Sequence, residues 1–331
     1  MPKLVGQTMT PYTSFIIPHK GREAMLIDTL QSIAEQNVGI EEFEVIVISQ
    51  NQAVSEKVKH FKNCLALSII YNDPNNSISH SRNLGAESAK GEFLAFLDAD
   101  IYLAPNWLST MRDTLQSTPS VVLVSAMQQN SDYAPPLEKI RTALSNAELD
   151  TNVSFLPGRN LFLRKQTFYQ AGKFPEHLLT CEDYYFTDKV NQLGSLYYTS
   201  KSSYVHIGED KAFIPMWKKE VWRGQSNLAS LKGRKVPLRE YPSFLIPFVI
   251  SGGWLGSLVA LLLGQTSLAS LLFLLALLPF TAYTLRLKKL TASSVALSYC
   301  LLFYLLYFPA RALGTLLGVS GTVSTDSHKS P

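Results

Sequence analysis

The chain has 331 residues, 46% of them hydrophobic and 17% charged, with a formal net charge of +4. Residues 242–285 and 290–310 hold no charged side chain; a bilayer takes about 20 apolar residues per helical span, so a purely soluble chain is excluded. Residues 1–210 carry 17 Lys and Arg against 23 Asp and Glu, and residues 211–241 carry 8 against 2, so the basic excess lies beside the apolar segments, where it suits anionic lipid and leaves no basic footprint for nucleic acid.

In chain order, Ser14–Ile17 reads as a strand and Arg22–Gln36 as a helix, with no apolar leader before Ser14. Glu44–Ser49 is a second strand, Ala53–Lys62 a short helix and Leu65–Tyr71 a third strand. Ser77–Lys90 is a helix with Gly91 as its expected terminator. Phe93–Leu97 is unbroken apolar sequence, the mark of a strand buried on both faces. A helix over Pro105–Gln116 and a strand over Val121–Ser125 follow. This alternation predicts an α/β domain with a mostly parallel sheet, whose ligands bind at the carboxyl ends of the strands. No Gly-rich phosphate loop follows the first strand, which argues against P-loop and Rossmann cofactor use. Cys64, Cys181 and Cys300 are odd in number and widely spaced, giving neither a disulfide framework nor zinc spacing and fitting a reducing cytoplasm.

Over Phe213–Lys232, Phe213, Trp217, Val221 and Leu228 recur at helical spacing with Lys218, Lys219 and Arg223 turned elsewhere. The pattern predicts a helix in the bilayer interface, with a core-packed helix as the competing reading. Three spans are expected, at Phe244–Gly264, Ser267–Leu285 and Val295–Leu317, the first two joined by Gly264-Gln265-Thr266. Pro247 and Gly252-Gly253 leave a re-entrant hairpin as the alternative for those two. Lys232, Arg234, Lys235 and Arg239 precede the first span, and Arg286, Lys288 and Lys289 follow the second. The positive-inside rule then places residues 1–241 in the cytoplasm and the tail outside, on a multi-pass cell-membrane protein. Arg311 is expected to snorkel to the outer interface. The expected divisions are a domain at 1–210, a juxtamembrane segment at 211–241, spans over 242–320 and a tail at 321–331.

Chemistry is expected where the buried strand ends, at Asp98-Ala99-Asp100. In extended chain residues i and i+2 share a face, so both carboxylates address one site, and hard oxygen donors suit Mg²⁺ or Mn²⁺. Two aspartates capping the following turn is the plainer reading.

The run Ser79-His80-Ser81-Arg82-Asn83-Leu84-Gly85, then Ala89-Lys90-Gly91-Glu92-Phe93, Phe96-Leu97-Asp98-Ala99-Asp100 and Pro105-Asn106-Trp107-Leu108, resembles a family 2 glycosyltransferase of the GT-A fold. Phe15-Ile16-Ile17-Pro18, with Leu30, Ser32 and Gln36, resembles that family's first strand and helix. Gly158-Arg159-Asn160-Leu161-Phe162, Gly172-Lys173-Phe174-Pro175, Glu182-Asp183 and His206 follow in the expected order. The resemblance covers about Ser14 to Gly208.

The resemblance implies inverting transfer of a sugar from a nucleotide-sugar donor to an acceptor hydroxyl; the interfacial helix and apolar spans make the expected acceptor a membrane-associated one, such as a lipid-linked glycan or polyprenyl phosphate. It assigns Asp183 as catalytic base with Glu182 beside it, a like charge able to raise the base's pKa. Pro18, Asn51, Arg82, Asp98 and Asp100 are implied on the donor side, and Asp100 and His206 as ligands of a divalent cation, Mn²⁺ or Mg²⁺. Gly158, Arg159, Asn160, Trp222 and Arg223 are implied on the acceptor or membrane side. The chain departs from the family at Ser49-Gln50-Asn51, where an acidic pair is usual. At Trp222-Arg223 it also lacks the glutamine and residue order of processive synthases. The second departure favours single additions; the first leaves the nucleobase open, with a catalytically silent membrane scaffold as the alternative reading. Helix amino termini favour acids, which is the plain reading of Glu182-Asp183; for His206 it is a satisfied domain histidine.

Overall fold

The computed structural model describes residues 12–231 and 238–319. Lys232, Arg234 and Lys235, the side chain of Arg239 and the tail 321–331 lie outside the described residues. The chain divides into two units. The first comprises residues up to Gln129, Glu148–His177 and Glu182–Gly208; the second comprises Asn130–Ala147, Leu178–Cys181 and the chain from Glu209 onward.

The first unit runs β1 (Thr13–His19), α1 (Glu23–Ala34), β2 (Phe43–Ser49), α2 (Glu56–His60), β3 (Leu67–Tyr71), α3 (Ile78–Ser88), β4 (Phe93–Leu97), β5 (Ile101–Leu103), α4 (Trp107–Ser117) and β6 (Val121–Gln129). After α5 (Pro136–Ser145), which belongs to the second unit, come β7 (Thr151–Val153), β8 (Asn160–Arg164), α6 (Lys165–Gln170), α7 (Glu182–Asn191) and β9 (Ser195–His206). Among the described residues the strands form one sheet in the order β3-β2-β1-β4-β8-β6-β9-β5, with β7 also on β9. The segment β3-β2-β1-β4 is parallel throughout, so β1 to β4 all end at one edge. The expected α/β sheet is present. β5 was not anticipated, because three residues are too few for a pattern; it is defined by pairing across to β9, Ile101 against His206.

Successive side chains of a strand point to opposite faces, and here both faces are covered. Phe15, Ile17, Val45, Val47, Phe93 and Ala95 enter one core, while Ile16, Ile46, Ile48, Leu94 and Phe96 enter the other. That double burial is why these strands read as unbroken apolar runs.

Several residues of the recognised motifs are structural ties. Gln36 accepts a hydrogen bond from the Leu108 N–H at 2.9 Å and donates to the Ala104 carbonyl at 3.0 Å, joining α1 to the start of α4. Asn83 exchanges hydrogen bonds with the backbone of Phe174 in both directions at 3.0 Å. Gly91 does not terminate α3, which ends at Ser88 with Ala89 extended. Instead its N–H donates to Ser14 Oγ at 2.9 Å, and a Cβ there would meet the Ser14 nitrogen at 2.7 Å. The need is close backbone approach to β1.

The second unit joins α5 to α8 (Phe213–Gly224), α9 (Tyr241–Leu262), α10 (Thr266–Thr291) and α11 (Leu297–Val319). The last three are long and apolar enough to cross a membrane, with mean hydropathies of 2.0, 2.0 and 1.6. α8 is shorter than expected, leaving Leu228 beyond it, and it buries Met216, Glu220 and Gly224. Burial of a glutamate follows from its partners. Glu220 pairs with Arg141, with Arg223 at 2.6 Å and with Arg311 at 3.7 Å. Burial alone would raise its pKa, but the arginines bring it down to about 2. Arg311 therefore does not snorkel outward as expected: it is held inside the unit by Glu220 and by Asn227 Oδ1, at 3.1 Å.

Candidate active site

The loops after β1 and β2 and the loop from β3 to α3 are stitched together at the carboxyl edge of the sheet. Asn51 Oδ1 accepts from the Gly21 N–H at 2.8 Å. Gln50 Nε2 donates to the carbonyls of Asp73 and Asn76, and Lys20 Nζ to that of Pro74. The two amides that replace the expected acidic pair thus bind neighbouring loops. Pro18 lies within β1, paired with Ile48. Beside it, His19 is buried with Nε2 unpartnered, and burial lowers its pKa.

Arg82 organises the centre. It projects from α3, is only 1% exposed, and donates through Nη2 to Asp98 Oδ1 at 2.9 Å and through Nη1 to Glu182 Oε1 at 2.8 Å. Its guanidinium lies 5.0 Å from the ring centre of Phe174. Burial opposes the charge, but Asp98 and Glu182 more than offset this and raise its pKa. Residues 100 positions apart are thereby brought together at one point. Asp98 keeps 31% of its side chain exposed, so it remains available to a ligand.

Glu182 and Asp183 open α7, where the helix dipole favours acids. Asp183 Oδ2 accepts the Gly158 N–H at 3.1 Å, and Oδ1 accepts the Tyr184 N–H at 2.8 Å. The like-charge effect expected of this pair appears on Glu182: burial, then Asp183, push its carboxyl up to about 6 against the opposing pull of Arg82. Gly158 is wedged in place; a Cβ there would meet Arg82 Nη2 and Asp183 Cβ, each at 3.0 Å.

Asp100 Oδ2 lies 3.4 Å from His206 Nε2 and 3.4 Å from Arg22 Nη2. Two cation ligands at right angles, each about 2.1 Å from Mg²⁺, lie about 3 Å apart; Asp100 and His206 come near that spacing and could hold an ion together, with Arg22 equally close to the same Asp100 oxygen. Among the described residues no cluster of three or more metal-binding side chains occurs; two protein donors suit a cation that also binds substrate phosphates. Arg22 was not anticipated. Its left-handed backbone, φ 35°, follows Gly21 in a tight turn after β1, and its side chain reaches Asp100 from that turn.

Other implied residues lie elsewhere. Arg159 offers its carbonyl to the Asp98 N–H at 3.1 Å, while its side chain binds Tyr204 OH at 2.8 Å and Gln128 Oε1 at 2.9 Å. Asn160 is fully buried, its Oδ1 accepting from Trp107 Nε1, Ser125 Oγ and the Ala126 N–H; it pins β8 to β6 and α4. Trp222 and Arg223 are on α8 in the second unit.

Residues 14–172 match the family described as Glycosyl transferase family 2. The chain is 25% identical over 189 residues to a glycosyltransferase of Haemophilus influenzae, covering 54% of this chain and 62% of that one. It is 27% identical over 217 residues to the poly(ribitol-phosphate) beta-N-acetylglucosaminyltransferase TarS of Staphylococcus aureus, covering 62% of this chain and 36% of TarS. The chain therefore spans less than two thirds of the length of these relatives. Its fold is similar to that of the mannosyltransferase PcManGT from Pyrobaculum calidifontis, solved with GDP-Man and Mn²⁺, at a TM-score of 0.63 and 16% identity over 93% of this chain and 88% of that one. The ordered motifs, the sheet and the family match agree on the same part of the chain: residues 14–172 are similar to glycosyl transferase family 2.

Proposed function

We propose that the protein is an inverting, metal-dependent glycosyltransferase. It moves one sugar at a time from a nucleoside-diphosphate donor to a membrane-associated acceptor, a lipid-linked glycan or polyprenyl phosphate, at the cytoplasmic face of the cell membrane. The observation that supports this most is the Arg82 junction, which gathers Asp98, Glu182 and the neighbouring Asp183 at the carboxyl edge of the sheet. The GDP-Man and Mn²⁺ bound by the fold relative support a nucleotide-sugar donor and a cation. The apolar helices support a membrane-associated acceptor, held near the site at raised effective concentration.

In this reading Asp98 and Asp100 face the donor. Asp100 and His206 would hold the cation, whose positive charge would offset that of the departing diphosphate. With a glycan acceptor, Asp183, fixed by the Gly158 N–H, accepts the proton of the attacking hydroxyl as the hydroxyl oxygen bonds to the anomeric carbon and the bond to the diphosphate breaks. Arg82 keeps Glu182 from competing for that role by holding its carboxylate.

The test is a pair of variants assayed separately for nucleotide binding and for sugar transfer. Asp183→Asn should lower transfer by about 10²–10⁴-fold and leave binding of donor with Mn²⁺ nearly intact. Asp100→Ala should weaken donor binding itself. Unchanged transfer in Asp183→Asn would remove the proposed base.

A further inference from the structure

The sequence pattern of three apolar segments predicts three crossings, with the chain after α11 on the face opposite residues 1–208. The packing within the second unit points elsewhere. α8 and α11 run in the same direction side by side. The Phe213 and Tyr299 rings stack with centroids 6.4 Å apart, and farther along Glu220 meets Arg311 and Asn227 Nδ2 donates to Thr315 Oγ1 at 3.1 Å. At the far end the backbones touch: a Cβ on Gly224 would lie 2.9 Å from Gly314 Cα, and Cβ atoms on Gly314 and Gly318 would strike the carbonyls of Val221 and Gln225. Contact without intervening side chains means that α11 follows α8 closely from Tyr299 to Gly318.

No crossing separates α8 from the first unit. Residues 207–212 include Glu209, Asp210 and Lys211, and six residues reach about 21 Å at most, short of the bilayer core's thickness of about 30 Å. After α8, residues 225–240 hold Lys232, Arg234, Lys235, Arg239 and Glu240, and no apolar run long enough to cross. α8 itself bears Lys218, Lys219, Glu220 and Arg223, too many charges for the hydrocarbon core. α8 therefore stays on the face of residues 1–208, and whatever runs beside it stays there too.

The contacts of α11 with α10 agree. Tyr283, in the last third of α10, stacks edge-on with Tyr304 and Phe308. A helix running the length of α10 would carry its next two turns toward Phe273 and Leu271. Those residues are instead exposed, as are Leu255, Leu258 and Leu262 on α9. α11 is also 44% buried across its most apolar stretch, against 17% and 22% for α9 and α10. Its remaining exposed side chains, Leu301, Leu305 and Leu316 among them, form an apolar stripe.

We infer that α9 and α10 alone enter the membrane as a hairpin, and that α11 lies with α8 in the interfacial layer, its stripe in the headgroup–acyl boundary of the leaflet facing residues 1–208. The chain after α11 then stays on that same face. The inference rests on the membrane association proposed above. Single cysteines replace Lys57 in the first unit, Lys289 after the hairpin and Ser327 beyond α11, in a full-length chain with Cys64→Ser, Cys181→Ser and Cys300→Ser. Sealed vesicles of both orientations are then treated with a membrane-impermeant maleimide. All three should label from one face and lose labelling from the other. Ser327→Cys labelling from the face opposite Lys57→Cys would overturn this placement of α11 alone. Equal labelling of all three in both orientations would overturn the membrane reading and this placement with it.

Discussion

In the first unit a buried arginine sits between carboxylates, and in the second a buried glutamate sits among arginines. Arg82 holds Asp98 and Glu182, yet Asp98 remains 31% exposed and Glu182, beside Asp183, is raised to about 6. Glu220 is 2% exposed, answered by three arginines and lowered to about 2, while Asp210 accepts from Arg141 Nε at 3.0 Å and Nη2 at 2.6 Å. The same kinds of group thus make a cluster with unspent acceptor capacity and one that is fully compensated. The first kind belongs where a substrate must still be bound. The second ties helices together.

The largest expected effect is on the compensated cluster. Glu220→Leu removes the buried carboxylate that Arg141, Arg223 and Arg311 share and should destabilise the full-length chain by about 3–5 kcal/mol, read by denaturant unfolding in detergent. Stability equal to wild type would break the contrast. Gly158→Ala strikes the open cluster, because its methyl group presses on both Arg82 and Asp183. A displacement of the base by a fraction of an ångström to 1 Å should lower kcat by up to about 10²-fold with a smaller change in donor binding. A change in donor binding alone would mean that Gly158 serves Asp98 rather than Asp183.

Asn160→Ala should cost about 1–3 kcal/mol of stability, because Trp107 and Ser125 lose a buried acceptor, while KM for the acceptor stays constant. A raised KM at unchanged stability would return Asn160 to the acceptor side. The smallest effect is in pH. The folded chain holds the Glu182 proton more tightly than the unfolded chain does, with a pKa near 6 against the ordinary 4.5. This contribution is present below pH 4.5 and withdrawn as pH rises through 6, by on the order of 1 kcal/mol. Glu182→Gln should flatten that slope in a series of unfolding curves. Glu220 has the opposite sign: its contribution is present above 4.5 and lost as pH falls toward 2.

The alternation of strands and helices, the double burial of β4, and the three apolar helices were legible in the amino-acid sequence because each rests on local periodicity or on a run of one chemical type. Asp98, Asp100, Glu182 and Asp183 were legible as acids at a strand end and a helix start. What tertiary structure alone decided is which distant groups answer them. Arg82 joins residues 98 and 182, Arg22 reaches Asp100 through a left-handed turn, and Asn160 turns into the core instead of toward a ligand. Arg311 shows the limit most plainly. From hydropathy a lone arginine in an apolar helix should seek the nearest water, whereas a glutamate buried on another helix gives it a partner that no local window of sequence contains.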